Sequence, residues 1–268
     1  MKKRWIVVGC VCLALGCAAP AQPEQAEPEQ RPPGEAVARV QVSADSDPRA
    51  IEVAKAVLEK MGGQRSWDET RFVSWNFFGN RTHVWDRQTG DLRLELSREE
   101  DRFLILMNVE SRDGRVWRNG EALDDPEEIA EWLQQTHQIW INDAYWMFMP
   151  YKLLDPGVTL RYGGERNTEE GHPAHVLDLT FADGVGYTPQ NRYEVLVGSD
   201  SGLVEQWDFF PDAADTEPRF RMPWANWKQF GRIMLATDHG EGADWEIAVH
   251  EDLPRSVFES PEPMYTAG

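Results

Sequence analysis

Beyond residue 17 this chain has no cysteine, because all 3 of its cysteines, Cys10, Cys12 and Cys17, fall at its start. A disulfide framework, a thiolate metal site and a cysteine nucleophile are thereby excluded from the folded part. Basic residues are scarce as well, 27 Lys and Arg against 46 Asp and Glu, for a formal net charge of -19. Three of those cations, Lys2, Lys3 and Arg4, sit at the start with no acid beside them, which leaves 24 bases against 46 acids and a net charge of -22 for the rest. Such a surface repels polyanions, and no Lys/Arg cluster offers the counterion release that phosphate-backbone binding needs, so nucleic acid is not an expected partner. Docking on anionic lipid through surface charge is disfavoured on the same ground. Long apolar runs are missing too. The one candidate, Trp5 to Gly16, is too short to span a bilayer.

What is present at the start is a basic segment followed by that short apolar run, the pattern of an export signal. It ends in Leu13-Ala14-Leu15-Gly16-Cys17, which resembles the bacterial lipobox. Residues 1–16 are therefore expected to be a signal peptide, and Cys17 the lipidated mature N-terminus. An ordinary secretory leader cut near Ala18-Ala19 is the other reading. By the same resemblance, Ala18 in place of Asp points to an outer-membrane anchor facing the periplasm. The rest of 17–47 alternates Pro20, Pro23, Pro28, Pro32 and Pro33 with Ala, Gln and Glu and holds little to bury. It reads as a tether with a reach of roughly 30 Å. Residues 48–268 are left as one domain.

That domain opens with a helix: Asp47 as N-cap, Pro48 at the first position, Ile51, Ala54, Leu58 and Met61 at helical spacing, Gly62-Gly63 as the stop. Strand signals follow at 71–78, 81–87, 91–97, 102–109 and 115–119, separated by turn residues. Leu92, Leu94 and Leu96 alternate with Arg93 and Glu95, which predicts one face in water. Asp125-Pro126-Glu127-Glu128 starts a helical insertion, and Asn142 or Asp143 is expected to cap a second, short helix that Pro150 ends. Six more strands are expected at about 158–163, 174–182, 191–198, 203–210, 230–238 and 243–249. The fold class is α+β, mainly β: one unclosed antiparallel sheet of about eleven strands, curled around an N-terminal helix and an inserted helical lid.

No candidate for catalysis withstands inspection. Gly198-Ser199-Asp200-Ser201-Gly202 has Asp where a serine-hydrolase elbow needs its nucleophile, and it joins two strands. His172 and His175 stand three apart in an extended chain, so they point to opposite faces and make no metal pair. Glu99-Glu100-Asp101 and Glu169-Glu170 read as solvated turns. The expectation is a protein without catalytic residues, metal or cofactor.

The apolar inventory is more telling, with 12 tryptophans, 11 of them beyond the leader. Trp75 and Phe77 share one strand face with Val73, while Phe103, Ile105 and Met107 share another. Covered by Trp132, Trp140 and Trp146 of the helical insertion, such faces form either a filled core or an adaptable apolar cavity.

The stretch Asn142-Asp143-Ala144-Tyr145-Trp146-Met147-Phe148-Met149-Pro150-Tyr151-Lys152-Leu153, with Asp155-Pro156-Gly157-Val158, resembles a signature of LolA-like bacterial envelope proteins. Gly202-Leu203-Val204-Glu205-Gln206-Trp207-Asp208 and Trp227-Lys228-Gln229-Phe230-Gly231 carry the same resemblance. The element order over 48–258 is similar to the superfamily of LolA, LolB and the N-terminal domain of RseB. The resemblance implies a cavity for a lipid or acyl chain under a lid of residues 126–150, with Tyr145 and Met149 among its lining and Lys152 within reach of a head group. Residue by residue it departs from LolA: no position here matches that protein's cavity arginine, nor LolB's protruding leucine loop. An envelope protein bound through the same concave face is the other partner it would fit, and a scaffold without ligand is the third reading.

Overall fold

The computed structural model describes residues 42–240 and 245–263. The leader, Cys17 and the tether up to residue 41 lie outside the described residues. Helix α1 (Pro48–Lys60) starts at the expected proline, but the Asp47 side chain does not cap it. Its carboxylate instead accepts from the Tyr162 amide at 2.9 Å and from Arg161 at 3.3 Å, tying the helix start to a strand. The helix stops at Gly62, whose φ of +112° suits only glycine, and a Cβ there would come within 2.4 Å of the Arg232 carbonyl. A further short helix, α2 (Gly63–Glu69), follows at once.

The strands run β1 (Phe72–Phe77), β2 (Arg81–Asp86), β3 (Asp91–Arg98), β4 (Asp101–Asn108), β5 (Gly114–Arg118) and β6 (Glu121–Ala122) before the long helix α3 (Pro126–Phe148). After a 3-10 turn at Met149–Lys152 come β7 (Val158–Asn167), β8 (Pro173–Phe181), β9 (Arg192–Gly198) and β10 (Val204–Phe210). The chain closes with β11 (Phe220–Pro223), β12 (Ala225–Phe230), β13 (Ile233–Asp238), β14 (Ile247–His250) and the single turn α4 (Ser256–Glu259). All described pairings are antiparallel and no sheet closes on itself.

The strands divide among three hydrogen-bonded sheets, where the sequence pattern predicts one: β14-β1-β2-β3-β4-β5-β6, β11-β10-β9-β8-β7, and the hairpin β12-β13. The strands before α3 stay in the first sheet, which β14 joins from the end of the chain. The edge of β7 is occupied by the segment before α1, through Ser43 N to Val158 O and Asp47 N to Leu160 O, both 2.8 Å, so no strand of the first sheet can join there. The short strands β6, β11 and β12 carried too little alternation to be read.

Two more expectations need correction. Asp143 does not cap a second helix; α3 runs unbroken through it for 23 residues, capped at its start by Asp125, whose carboxylate accepts from the Glu127 and Glu128 amides. Nor does Arg93 face water. Its side chain is 2% exposed, because the C-terminal segment lies over it. The Arg93 guanidinium donates to the carbonyls of Val257 (3.2 Å), Ser260 (2.9 Å) and Glu262 (3.0 Å).

Helix α3 serves two cores. Its first half covers β3 to β5, where the pairs Leu92–Met107, Leu94–Ile105 and Leu96–Phe103 stand opposite each other and Trp132 lies 4.1 Å from the Phe103 ring. Its second half enters the main core, with Met147 and Phe148 against α1, β1 and the strands β7 to β10. Tyr151 closes that core: it stacks on Trp67 at 4.3 Å, its hydroxyl donates to the Met61 carbonyl at 2.8 Å and accepts from the Met234 amide at 3.1 Å.

Candidate functional site

The placement of α3 is fixed by a buried charge. Asp143 is fully buried and accepts from the Arg81 guanidinium through both oxygens, at 2.6 and 2.9 Å, and from His83 Nε2 at 2.9 Å. His83 in turn stacks flat on Trp75 at 4.4 Å. Burial works to raise the Asp143 carboxyl, yet the His83 and Arg81 hydrogen bonds outweigh it and hold the group below its ordinary range. Burial also pushes His83 down, so at neutral pH it is a neutral donor toward the carboxylate. With that side of the helix pinned to β2, Gln138, Ile141 and Tyr145, at helical spacing, line a space on another side.

That space is a cavity of about 930 Å³, near the top of the range of small-molecule sites. Trp140, Tyr145, Trp146 and Phe148 of α3 form one wall, and Trp67 and Trp85 join them. Phe181, Tyr193 and Phe209 form another. They come from one face of the second sheet, since Tyr193 stands opposite both Leu179 and Phe209 in the register and Phe181 follows Leu179 by two. The aromatic walls meet: Tyr145 lies 5.8 Å from Phe181 and 5.6 Å from Tyr193, and Trp146 5.8 Å from Phe220.

The loop between β8 and β9 supplies the third side through Val185, Gly186, Tyr187, Thr188, Gln190 and Asn191. Among the described residues it is joined to α3 by one hydrogen bond, 2.7 Å between the Tyr187 hydroxyl and His137 Nδ1. Charged groups at the described wall are few. Lys152 pairs with Asp155 at 2.8 Å, and Arg219 stands at the start of β11. Burial raises the Tyr145 phenol well above its usual range and takes Tyr193 up to about 12, so both remain protonated at neutral pH.

Of the side chains named as lining from the sequence, Trp140, Tyr145 and Trp146 border this cavity. Trp75, Phe77 and Met149 are packed in the main core, while Phe103, Ile105, Met107 and Trp132 fill the second core under the first half of α3. These seven face inward, but onto one another. The sheet wall was missed, although the period-2 runs Leu177-Leu179-Phe181 and Tyr193-Val195-Val197 carried its signal; the loop wall has no such signal. His172 and His175 go separate ways, to Glu205 at 3.0 Å and to the Tyr162 hydroxyl at 3.0 Å. The glycine-flanked serines form the β9–β10 turn, closed by Gly202 N to Gly198 O at 2.8 Å.

No family model matches the chain, and no curated protein matches it. Among solved structures it is similar to a domain from Vibrio parahaemolyticus described as outer-membrane lipoprotein-sorting, at 10% identity over 76% of this chain and 97% of that one, with a TM-score of 0.35. It is similar to the LolA superfamily protein NE2245 from Nitrosomonas europaea, at 13% identity over 76% and 96%, TM-score 0.31. The MucA/MucB complex of Pseudomonas aeruginosa is matched at 17% identity over 69% of this chain and 63% of the other, TM-score 0.24. The cavity itself is the ground for a functional reading.

Proposed function

We propose that this chain is a lipid-anchored protein of the bacterial cell envelope, held at the outer membrane facing the periplasm, that binds a lipid or acyl chain in the cavity beside α3. The observation that carries this is an apolar, aromatic-walled space of about 930 Å³ in a domain with no cysteine and a net negative charge. Binding is by shape and apolar burial. Each methylene transferred from water contributes about 0.8 kcal/mol, so ten of them supply roughly 8 kcal/mol before association and ordering costs. Tyr145 and Tyr193 are held protonated, and Lys152 is neutralised by Asp155, which fits holding a guest better than proton transfer to it. The anchoring half of the proposal comes from the leader and Cys17.

Native mass spectrometry of the protein taken from bacterial membranes tests the reading. The expected result is a one-to-one adduct of lipid mass. A stoichiometric protein partner in its place, or a bare chain that also fails to take up added lipid, would overturn it.

A further inference from the structure

Among the described residues, the cavity wall contains three charged side chains, Lys152, Asp155 and Arg219. The first two neutralise each other at 2.8 Å. Arg219 is exposed and forms no ion pair among the described residues, although acids are close in sequence; Glu217, the nearest, is exposed and does not line the cavity. Asp212 and Asp215 are turned to backbone amides of their own loop, Ala214 N at 2.9 Å and Asp212 N at 3.1 Å. Asp208 is taken by Arg166 at 2.8 Å and Arg221 at 3.2 Å. The Arg219 amide donates to the Phe209 carbonyl at 2.8 Å, which sets the residue at the loop end of the β10–β11 hairpin. It is flanked there by Phe209 and Phe220, both of them wall residues. In a chain of formal charge -19, the one uncompensated charge at this wall is positive.

Size narrows the guest further. At about 30 Å³ per non-hydrogen atom, the cavity of about 930 Å³ matches the bulk of a single-chain lipid with its head, and part of a diacyl phospholipid would lie outside it. We infer that the cavity takes a single-chain amphiphile with an anionic head, a carboxylate or a phosphate, whose chain lies among the aromatic rings and whose head pairs with Arg219. This rests on the cavity reading above and adds the class of ligand.

The test is calorimetric titration of the lipid-stripped full-length protein with three probes that share a sixteen-carbon chain: palmitate, hexadecanol and hexadecyltrimethylammonium. Palmitate is expected to bind about 10-fold more tightly than hexadecanol, equivalent to about 1.4 kcal/mol, with the cation weakest. Arg219→Gln, at an exposed position, is expected to bring palmitate down to the level of hexadecanol and leave hexadecanol unchanged. Two further probes, 1-palmitoyl-lysophosphatidylglycerol and dipalmitoyl phosphatidylglycerol, separate the sources. Preference for the lysolipid over palmitate assigns the head as phosphate and the reverse as carboxylate, whereas tighter binding of the diacyl lipid overturns the single-chain assignment. Equal binding of the three heads, unaltered by Arg219→Gln, overturns the head-group inference and leaves the cavity reading standing. Failure of every probe to bind removes both.

Discussion

At the residue scale, Asp143 shows how a side chain of local appearance acts at long range. Its sequence neighbours suggest a helix cap, because Asp before an apolar run is a strong N-terminal signal. Its actual partners, Arg81 and His83, lie about sixty residues away on β2, and no local pattern encodes that meeting. Removing one member of a buried, paired charge costs about 3 kcal/mol, so Asp143→Asn is expected to lower stability by about that much, measured by urea unfolding at pH 7. A loss below about 1 kcal/mol would show that the ion pair does not pin the helix. The carboxyl is held below the ordinary value, so its contribution is complete above about 3.9 and fades as pH falls through the folded value. The variant should accordingly show a shallower decline in that acid range. The tryptophans differ in a complementary way. Trp75 and Trp146 look equivalent as sequence, yet Trp75 is sealed in the core beneath His83 while Trp146 borders the cavity. Periodicity gives the direction of a side chain; whether anything occupies the space ahead of it depends on every facing residue at once.

At the scale of elements, the hairpins of the first sheet and the existence of α1 and α3 were legible, because Leu92-Leu94-Leu96 alternate with Arg93 and Glu95, Phe103 to Met107 is a short apolar run bounded by turn residues, and Pro48 and Asp125-Pro126 mark helix starts. The place of the loop from 182 to 191 was legible between two expected strands, but its part in the cavity wall was not. Gly184 and Gly186 adopt φ of +81° and +65°, so the loop follows glycine conformations and has no apolar period to reveal it. Its single described hydrogen bond to α3, between Tyr187 and His137, makes it the side of the cavity that opens most readily. Tyr187→Phe removes that bond, worth about 1 kcal/mol. Amide hydrogen exchange in 183–191 is expected to quicken several-fold while the strands keep their protection. Unchanged exchange there would mean that the tyrosine does not hold the loop. The outer face of β3 teaches the opposite lesson: alternation set the pleat of Arg93 correctly, but its cover arrives from residues 257–262, far along the chain.

At the scale of the whole molecule, burial of histidine couples stability to pH. His239 lies between Trp224 at 4.6 Å and Trp245 at 4.3 Å, and burial pushes it down to about 4. An imidazole lowered in the folded state binds fewer protons than in the unfolded chain, so stability is full above about 6.5 and falls as pH drops toward the folded value. From this residue alone the protein should be about 2 kcal/mol less stable at pH 5 than at pH 7, and His239→Phe should flatten that slope; an equal slope in the variant would assign it elsewhere. The same sealed interior bears on function. Much of the aromatic content is packed solid, and ligand binding depends on the remaining space between α3 and the second sheet. Fluorescence quenching by a bromine-substituted stearate tests this directly, since bromine quenches only indoles that its chain touches. A guest lodged in that space gives saturable quenching that falls when Trp140 and Trp146 are replaced by phenylalanine and is unaffected by Trp224→Phe in the closed core. Quenching that never saturates, or that is untouched by losing Trp140 and Trp146, the two wall tryptophans of α3, would contradict a ligand cavity beside α3.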